Sequence, residues 1–168
     1  MATTRPSFDI ARAKGEYAEG IVRRKLEAQG FVVYKPETVG AHAFDVLAIR
    51  DKSHCIALDV KAKARRNRYP DTGINERHYQ TYKAFSTRHA MPFWVVFVDE
   101  MQGTIYGNSL TALDEPAEVG GVAYPLLDNG TRYWPLQNMR QIHELTYQEA
   151  EELAQLSQRN YAYAPEAA

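Results

Sequence analysis

The most restrictive feature of the sequence is the almost continuously apolar segment PFWVVFVD at residues 92–99. A short apolar run that is rich in aromatic and β-branched residues is typical of a strand buried on both faces. Such a strand lies near the centre of a sheet that helices cover on both sides. The segment therefore predicts an α/β protein with a layered core.

Elements of both types are predicted around this central strand. From about Phe8 to Gln29 the apolar residues follow a helical period, and Gly30 provides a C-terminal stop. The other predicted elements are strands at residues 31–34, 44–50, 54–62 and 104–108, and a helix at residues 75–89. This order predicts a three-layer α/β sandwich, in which a mixed central β-sheet is flanked by helices.

The length of 168 residues suits one hydrophobic core. We expect residues 1–108 to form the body of this domain and residues 109–168 to form a C-terminal extension packed on it, with short strands and a final helix. Thr146 followed by Glu149 forms a capping box, which predicts a helix that begins here and ends near Arg159.

The net charge of −1 conceals two halves of opposite sign. Residues 1–98 carry 17 Lys and Arg against 10 Asp and Glu, whereas residues 99–168 carry 3 against 11. A basic half can attract a polyanion such as nucleic acid. The alternative is that these charges form a solvated surface without a partner.

Several classes of protein are excluded by what the sequence lacks. The single cysteine, Cys55, excludes an internal disulfide and a multi-cysteine zinc site. No apolar stretch approaches the about 18–20 residues that a membrane-spanning helix requires. The first 20 residues contain no apolar signal-peptide core. We therefore expect a cytoplasmic protein that has no membrane partner.

Two aspartates interrupt apolar strands of a predicted hairpin. Asp45 lies in FDVLAI and Asp59 lies in CIALDV, and both are seven residues from Lys52 in the polar connection. If the hairpin is centred on Lys52, the two aspartates lie opposite each other, with Cβ atoms about 5 Å apart. Carboxylates at this distance repel unless a proton, a cation or a metal ion lies between them. Their hard oxygens suit Mg²⁺ or Mn²⁺. The alternative is a strand with one exposed face that bears ordinary charges.

Lys61 shares a strand face with Asp59, because side chains two residues apart on a strand point the same way. An ammonium group beside the two carboxylates could neutralise a phosphate or orient a water molecule. The residue between them, Val60, points to the opposite face.

The segment FDVLAIRDKSHCIALDVKAK resembles the PD-(D/E)XK nuclease superfamily, whose signature is an acidic residue on one strand and D/E-x-K on its hairpin partner. Here Asp45 follows Phe44 instead of proline, and the second element is Asp59-Val60-Lys61. The sequence KGEYAE followed by LEAQGF also resembles the first helix of archaeal Holliday-junction resolvases. The resemblance covers about residues 12–99 and implies a restriction-endonuclease-like fold.

The resemblance also implies a set of site residues. A helix glutamate completes the metal site in that group, and Glu19 matches its position after Gly-x-x-Ala, with Glu16 as the alternative. Asp45, Asp59 and the backbone carbonyl of Val60 would be the other metal ligands, and Lys61 would be catalytic.

Two further positions are candidates for contacts at this site. Many relatives carry a polar residue on the helix after D-x-K, and Gln80 is the candidate here, with His78 as the weaker alternative. An exposed helix glutamine without a role is equally compatible with the pattern. His42 could approach Asp45 from the preceding loop.

The densest basic segment, KAKARRNRY at residues 61–69, continues directly from the D-x-K strand. Lys and Arg bind phosphates without reading base sequence, so this segment predicts nucleic-acid contacts. The predicted contact residues are Lys63, Arg65, Arg66 and Arg68. A solvated loop is the alternative.

The sequence thus predicts a Mg²⁺- or Mn²⁺-dependent endonuclease that hydrolyses phosphodiester bonds in DNA and selects its substrate by structure. Two alternatives stay open: a non-catalytic nucleic-acid-binding module of the same fold, and an RNA-processing nuclease. A homodimer would suit symmetric cleavage of two strands.

Overall fold

A computed structural model describes residues 5–37 and 42–162, with side chains described for residues 9–37 and 42–157. The helices are α1 (Arg5–Ala28), α2 (Glu76–His89), α3 (Leu110–Leu113) and α4 (Tyr147–Ala162). The first six strands are β1 (Val32–Tyr34), β2 (Val46–Asp51), β3 (His54–Ala62), β4 (Asp71–Asn75), β5 (Phe93–Asp99) and β6 (Thr104–Ser109). The remaining strands are β7 (Ala117–Val119), β8 (Val122–Tyr124), β9 (Leu126–Asp128), β10 (Thr131–Pro135) and β11 (Arg140–Glu144).

Six strands form the central sheet in the order β1-β2-β3-β5-β6-β11. The β3–β5 pair is parallel and the other four pairs are antiparallel, so the sheet is mixed. Two smaller sheets, β4-β10-β9 and β7-β8, accompany it. The central position of β5 agrees with the uniformly apolar character of its sequence.

The two faces of the central sheet pack against different helices. On one face, which we call the α1 face, Ala18 and Ile21 of α1 and Leu153 of α4 form a core with sheet residues. On the other face, the α2 face, Tyr79 and Tyr82 of α2 pack with a second set of sheet residues. Helices therefore flank a mixed sheet in three layers, which confirms the predicted fold class.

Alternation along the strands sorts side chains between these two cores. In β5, Val96 and Val98 belong to the α1 face, whereas Val95 and Phe97 belong to the α2 face. The same rule applies to β3 and determines which residues can meet α2.

The C-terminal part of the chain contributes to the central sheet and to its helical cover. Strand β11 pairs with β6 at the sheet edge, and α4 packs on α1. The capping box is confirmed, because the Thr146 N–H donates to Glu149 Oε2 at 3.0 Å and the Glu149 N–H donates to Thr146 Oγ1 at 3.2 Å. No helix in the described part of the chain is long and apolar enough to span a bilayer.

Pro70, Asp71 and Gly73 favour turns, so the sequence pattern predicts a loop where the structure has strand β4. It pairs instead with β10 in the small sheet. Gly73 is required there for close approach, since a Cβ at this position would overlap the backbone carbonyl of Arg132. Gly73 is therefore needed for the close packing of two strands and does not mark a turn.

Replacing Leu153 by alanine should lower the free energy of unfolding by about 2–5 kcal/mol, because the side chain is 0% exposed between α4 and the α1 face. Urea denaturation checks this value. Leu127→Ala is the matched control, since Leu127 is 57% exposed, and should change stability by less than about 0.5 kcal/mol. Equal effects of the two substitutions would show that α4 does not stabilise the domain.

Candidate active site

The pairing of β2 with β3 brings two aspartates together at one end of the hairpin. Val46 lies opposite Leu58, and the Asp45 N–H donates to the Leu58 carbonyl at 3.0 Å. Continuing this register by one residue places Asp45 opposite Asp59. A bulge between Ile49 and Asp51 lies on the turn side and leaves this register unchanged. The hairpin register predicted from Lys52 is thus confirmed.

Both aspartates are removed from solvent and interact with each other. The side chain of Asp45 is 17% exposed and that of Asp59 is 6% exposed. Burial and the negative charge of Asp59 raise the pKa of Asp45 to about 6. A hydrogen bond of 2.8 Å from the Val60 N–H to Asp45 Oδ2 acts in the opposite direction. Burial and repulsion by Asp59 therefore affect the pKa of Asp45 more than the hydrogen bond from Val60 does.

Lys61 lies on the same strand face as Asp59 and forms an ion pair with it. Its Nζ is 2.8 Å from Asp59 Oδ2. The angles of this contact are not those of a hydrogen bond, and within the described residues that buried oxygen accepts none. One carboxylate oxygen therefore keeps unused capacity for a cation.

Helix α2 covers the carboxylate pair with His78 and Tyr82, which lie one helical turn apart. The ring of Tyr82 stacks on Phe93 with centroids 4.5 Å apart, and its side chain is buried. Burial and the charges of Asp59 and Asp45 raise the pKa of Tyr82. Partial burial and the charge of Lys61 lower the pKa of His78, while Asp45 acts in the opposite direction. Tyr82 therefore packs beside the pair, whereas His78 is exposed and interacts electrostatically with Lys61 and Asp45.

Gln80 lies on another side of α2. It is exposed, and its amide donates to Glu76 Oε1 at 2.6 Å. Two residues along a helix correspond to a rotation of about 200°, so Gln80 points away from the direction of His78. His78, the alternative that the sequence offered, is the polar α2 residue whose pKa is affected by Lys61 and Asp45. Tyr82 was missed, although its i,i+4 spacing from His78 was available as a signal.

The structure does not bring Glu19 to the carboxylate pair. Helix α1 packs on the α1 face, whereas Asp59 and Lys61 lie on the α2 face. Glu19 Oε2 is instead 2.7 Å from Lys35 Nζ. Among residues 9–37 and 42–157, no three His, Cys, Asp or Glu side chains form a group that could hold a metal ion. Glu16, the alternative, pairs with Arg12 at the surface.

Two other predicted contacts lie near the pair. His42 Nε2 is 3.6 Å from Asp45 Oδ1, so the loop before β2 does approach this carboxylate. The side chain of Val60 belongs to the core of the α1 face, and its N–H is used by Asp45. The role of the Val60 carbonyl as a ligand stays a prediction.

Two arginines of the basic segment are held in ion pairs with fully buried aspartates. Arg65 Nε donates to Asp99 Oδ2 at 2.9 Å. Arg66 Nε donates to Asp71 Oδ1 at 2.6 Å, and its second nitrogen donates to the other oxygen. Because Asp71 and Asp99 are each 0% exposed, these pairs anchor the segment to the fold.

The other two basic residues present a different situation. Lys63 Nζ donates to the Gly73 carbonyl at 2.9 Å, which ties the segment to β4 without neutralising the charge. Arg68 is exposed. Of the four predicted phosphate contacts, Lys63 and Arg68 thus retain their charge for a partner, whereas Arg65 and Arg66 are already paired.

The fold was compared with known proteins. No protein-family model matches the sequence, and the search of curated proteins finds no match. Among solved structures, the chain is similar to Hjc, a Holliday junction resolvase from the archaeal hyperthermophile Archaeoglobus fulgidus, with a TM-score of 0.54 and 12% sequence identity. The match covers 74% of this chain and 90% of that chain. At this identity the likeness concerns the fold, which is the restriction-endonuclease-like fold expected from the sequence.

The carboxylate pair predicts a pH dependence of stability in EDTA. The pKa of Asp45 is about 6 in the folded protein and 3.8 ordinarily, so folding retains a proton that the unfolded chain releases between these values. The unfolding free energy of the wild type should therefore fall as the pH rises from about 4 to 6, by up to about 3 kcal/mol relative to Asp45→Asn.

Urea denaturation of both proteins at several pH values measures this difference. Asp128→Asn, at the exposed end of β9, is the matched control and should follow the wild type throughout. A constant difference between the wild type and Asp45→Asn across this pH range would contradict the assigned repulsion.

Proposed function

We propose that this protein is a metal-dependent endonuclease that hydrolyses phosphodiester bonds in DNA and selects branched or otherwise structured substrates. The observation that carries the proposal is the buried pair Asp45 and Asp59 with Lys61 beside it. Groups of this kind are unfavourable in a purely structural role, because two buried carboxylates repel. Their placement at the end of a strand hairpin, beside Tyr82 of α2 and with Lys61 adjacent, suits phosphate chemistry.

The residues present fit a divalent cation. Asp45 and Asp59 offer hard oxygens, and one buried oxygen of Asp59 accepts no hydrogen bond from the described residues. A cation there would relieve the repulsion that raises the pKa of Asp45. Mg²⁺ or Mn²⁺ matches this donor set, because these ions bind through few carboxylates and keep several waters. Glu19 is paired with Lys35 and is not part of this donor set.

The side chains around the pair have distinct roles in this proposal. A bound divalent ion would polarise the phosphate and make a water molecule more acidic. Lys61, held beside Asp59, places a positive charge where negative charge develops on the phosphate. Tyr82 excludes bulk water from the inner side of the pair, since it is buried against Phe93. His78 lies at the outer side, where the scissile phosphate would enter.

The choice of DNA as the partner is supported by the fold comparison and by charge. Hjc, one of the solved structures to which this chain is similar, is a Holliday junction resolvase. The excess of Lys and Arg in residues 1–98 suits a polyanionic partner of either type, DNA or RNA. A homodimer would supply two sites for two related strands. This assembly is part of the proposal.

One observation favours a second candidate, a non-catalytic nucleic-acid-binding module. Only two carboxylates gather at the site within the described residues, and the expected third, Glu19, is paired elsewhere. A module of this kind would bind nucleic acid without cutting it. The following two experiments distinguish the candidates.

Mg²⁺ or Ca²⁺ should raise the melting temperature of the wild type, and Asp59→Asn should lose most of that shift. The reason is mass action, since an ion bound only by the folded state stabilises it by about 2.7 kcal/mol at 100 times its dissociation constant. Differential scanning fluorimetry with and without EDTA measures the shifts. Asp128→Asn is the control and should shift like the wild type. Equal shifts in all three proteins would argue against a metal at this pair.

Lys61→Ala should reduce cleavage of a junction substrate by about 10²–10³-fold, because a positive charge preorganised for the transition state is lost. Binding should weaken by less than about tenfold, since one charge among many is removed. Single-turnover cleavage and fluorescence anisotropy measure the two quantities. Lys52→Ala, in the exposed hairpin turn, removes the same charge and should leave cleavage unchanged.

The substrate panel contains four-way junctions, flaps, duplexes, single strands and RNA, each with Mg²⁺ or Mn²⁺. If Lys61→Ala weakens binding but leaves the cleavage rate of the bound substrate unchanged, Lys61 is only a phosphate contact. A wild type that binds the panel with metal present and cuts none of it would favour the binding module. Preferential cleavage of RNA would show that RNA, and not DNA, is the substrate.

A further inference from the structure

A largely apolar cavity of about 320 Å³ lies on the α1 face, on the opposite side of the sheet from the carboxylate pair. Apolar side chains from the sheet and from α1 form much of its lining: Leu26, Phe31, Ile56, Trp94, Ile105 and Ile142. Its volume lies near the lower end of the range of about 300–1,000 Å³ that is typical of small-molecule sites.

The cavity exists because α1 ends before it covers the whole sheet. The helix ends at Ala28, and Gly30, with a φ of 85°, turns the chain toward β1. Trp94 is therefore only partly buried, although it lies on β5 in the interior of the sheet. Exposed aromatic surface at such a position is unfavourable unless something covers it.

The charged side chains that line the cavity are basic. Lys25 and Arg140 contribute to its lining, and among the described residues no Asp or Glu does. The lining also contains His143 and His54, whose Nδ1 is 2.9 Å from Asp51 Oδ1 outside the lining. Lys25 is 3.7 Å from Glu149, so its charge is partly balanced. Arg140, at the beginning of the edge strand β11, is therefore the stronger cation at this rim.

We propose that this cavity binds a small amphiphile with an apolar body and one anionic group, of the type of a medium-chain carboxylate. The apolar side chains would cover the hydrocarbon, and Arg140, supported by Lys25, would bind the carboxylate at the rim. The site lies on the other face of the sheet from Asp45 and Asp59. This inference is independent of the proposed nuclease function.

Titration with decanoate and with decanol tests the site directly, with the full chain. Trp94 lines the cavity, whereas Trp134, the other tryptophan, is fully buried in the core of the α2 face. Tryptophan fluorescence therefore reports occupancy, and calorimetry gives the stoichiometry. We expect one decanoate per chain, with an affinity at least about fivefold higher than that of decanol.

Two substitutions locate the ligand. Arg140→Gln should weaken decanoate binding by about fivefold and leave decanol binding unchanged. Arg88→Gln removes the same charge from the exposed end of α2 and is the matched control, without effect on either ligand. Ile142→Phe should reduce the binding of both ligands by filling the cavity, with circular dichroism verifying the fold.

Three results would overturn the proposal. The first is no fluorescence or calorimetric response to decanoate in the folded wild type. The second is equal affinity for decanoate and decanol, which would remove the anionic group from the recognition. The third is a decanoate affinity that neither Arg140→Gln nor Ile142→Phe changes, which would place the ligand elsewhere on the protein.

Discussion

The register of the β2–β3 hairpin determines where the two carboxylates and the lysine of the candidate active site lie. Val46 and Leu58 are opposite each other in the core of the α1 face, and this apolar pairing makes the alternative registers costly. A slip of one residue would turn the apolar residues of one strand out of that core. The same alternation directs Asp59 and Lys61 to the α2 face and Leu58 to the cavity on the α1 face. Strand β3 thus contributes side chains both to the carboxylate pair and to the apolar cavity.

Burial by α2 converts this hairpin end from two surface charges into a reactive pair. Tyr82 stacks on Phe93 and lies over the carboxylates, so that their repulsion is poorly screened. In the absence of a cation this arrangement destabilises the folded protein at neutral pH, as the raised pKa of Asp45 indicates. A local loss of stability caused by buried, mutually repelling carboxylates is a pattern typical of functional sites.

The hairpin could be predicted from the sequence because its determinants are local. Seven residues on either side of Lys52 and the alternation of a strand suffice to place Asp45 opposite Asp59. The side of α2 that faces the sheet is a tertiary property, since His78 and Gln80 have equivalent local sequence signals. The position of Glu19 depends likewise on which face of the sheet α1 covers. Sequence patterns predict that a helix forms. They do not show which face of the sheet it covers or which of its polar residues lies near the site.

The charge balance of the first half shows why partners are harder to predict than charges. The arginines can be counted in the sequence. Their pairing with Asp99 and Asp71 cannot be predicted in the same way, because it depends on where β5 and β4 lie in the folded protein. Arg65 and Arg66 lose most of their value for a polyanion in these pairs, since the buried carboxylates neutralise them. The excess positive charge that a nucleic acid can contact is therefore smaller than the count for residues 1–98 indicates. Lys61 is likewise paired with the buried Asp59, so Lys63 and Arg68 are the residues of this segment that can still provide it.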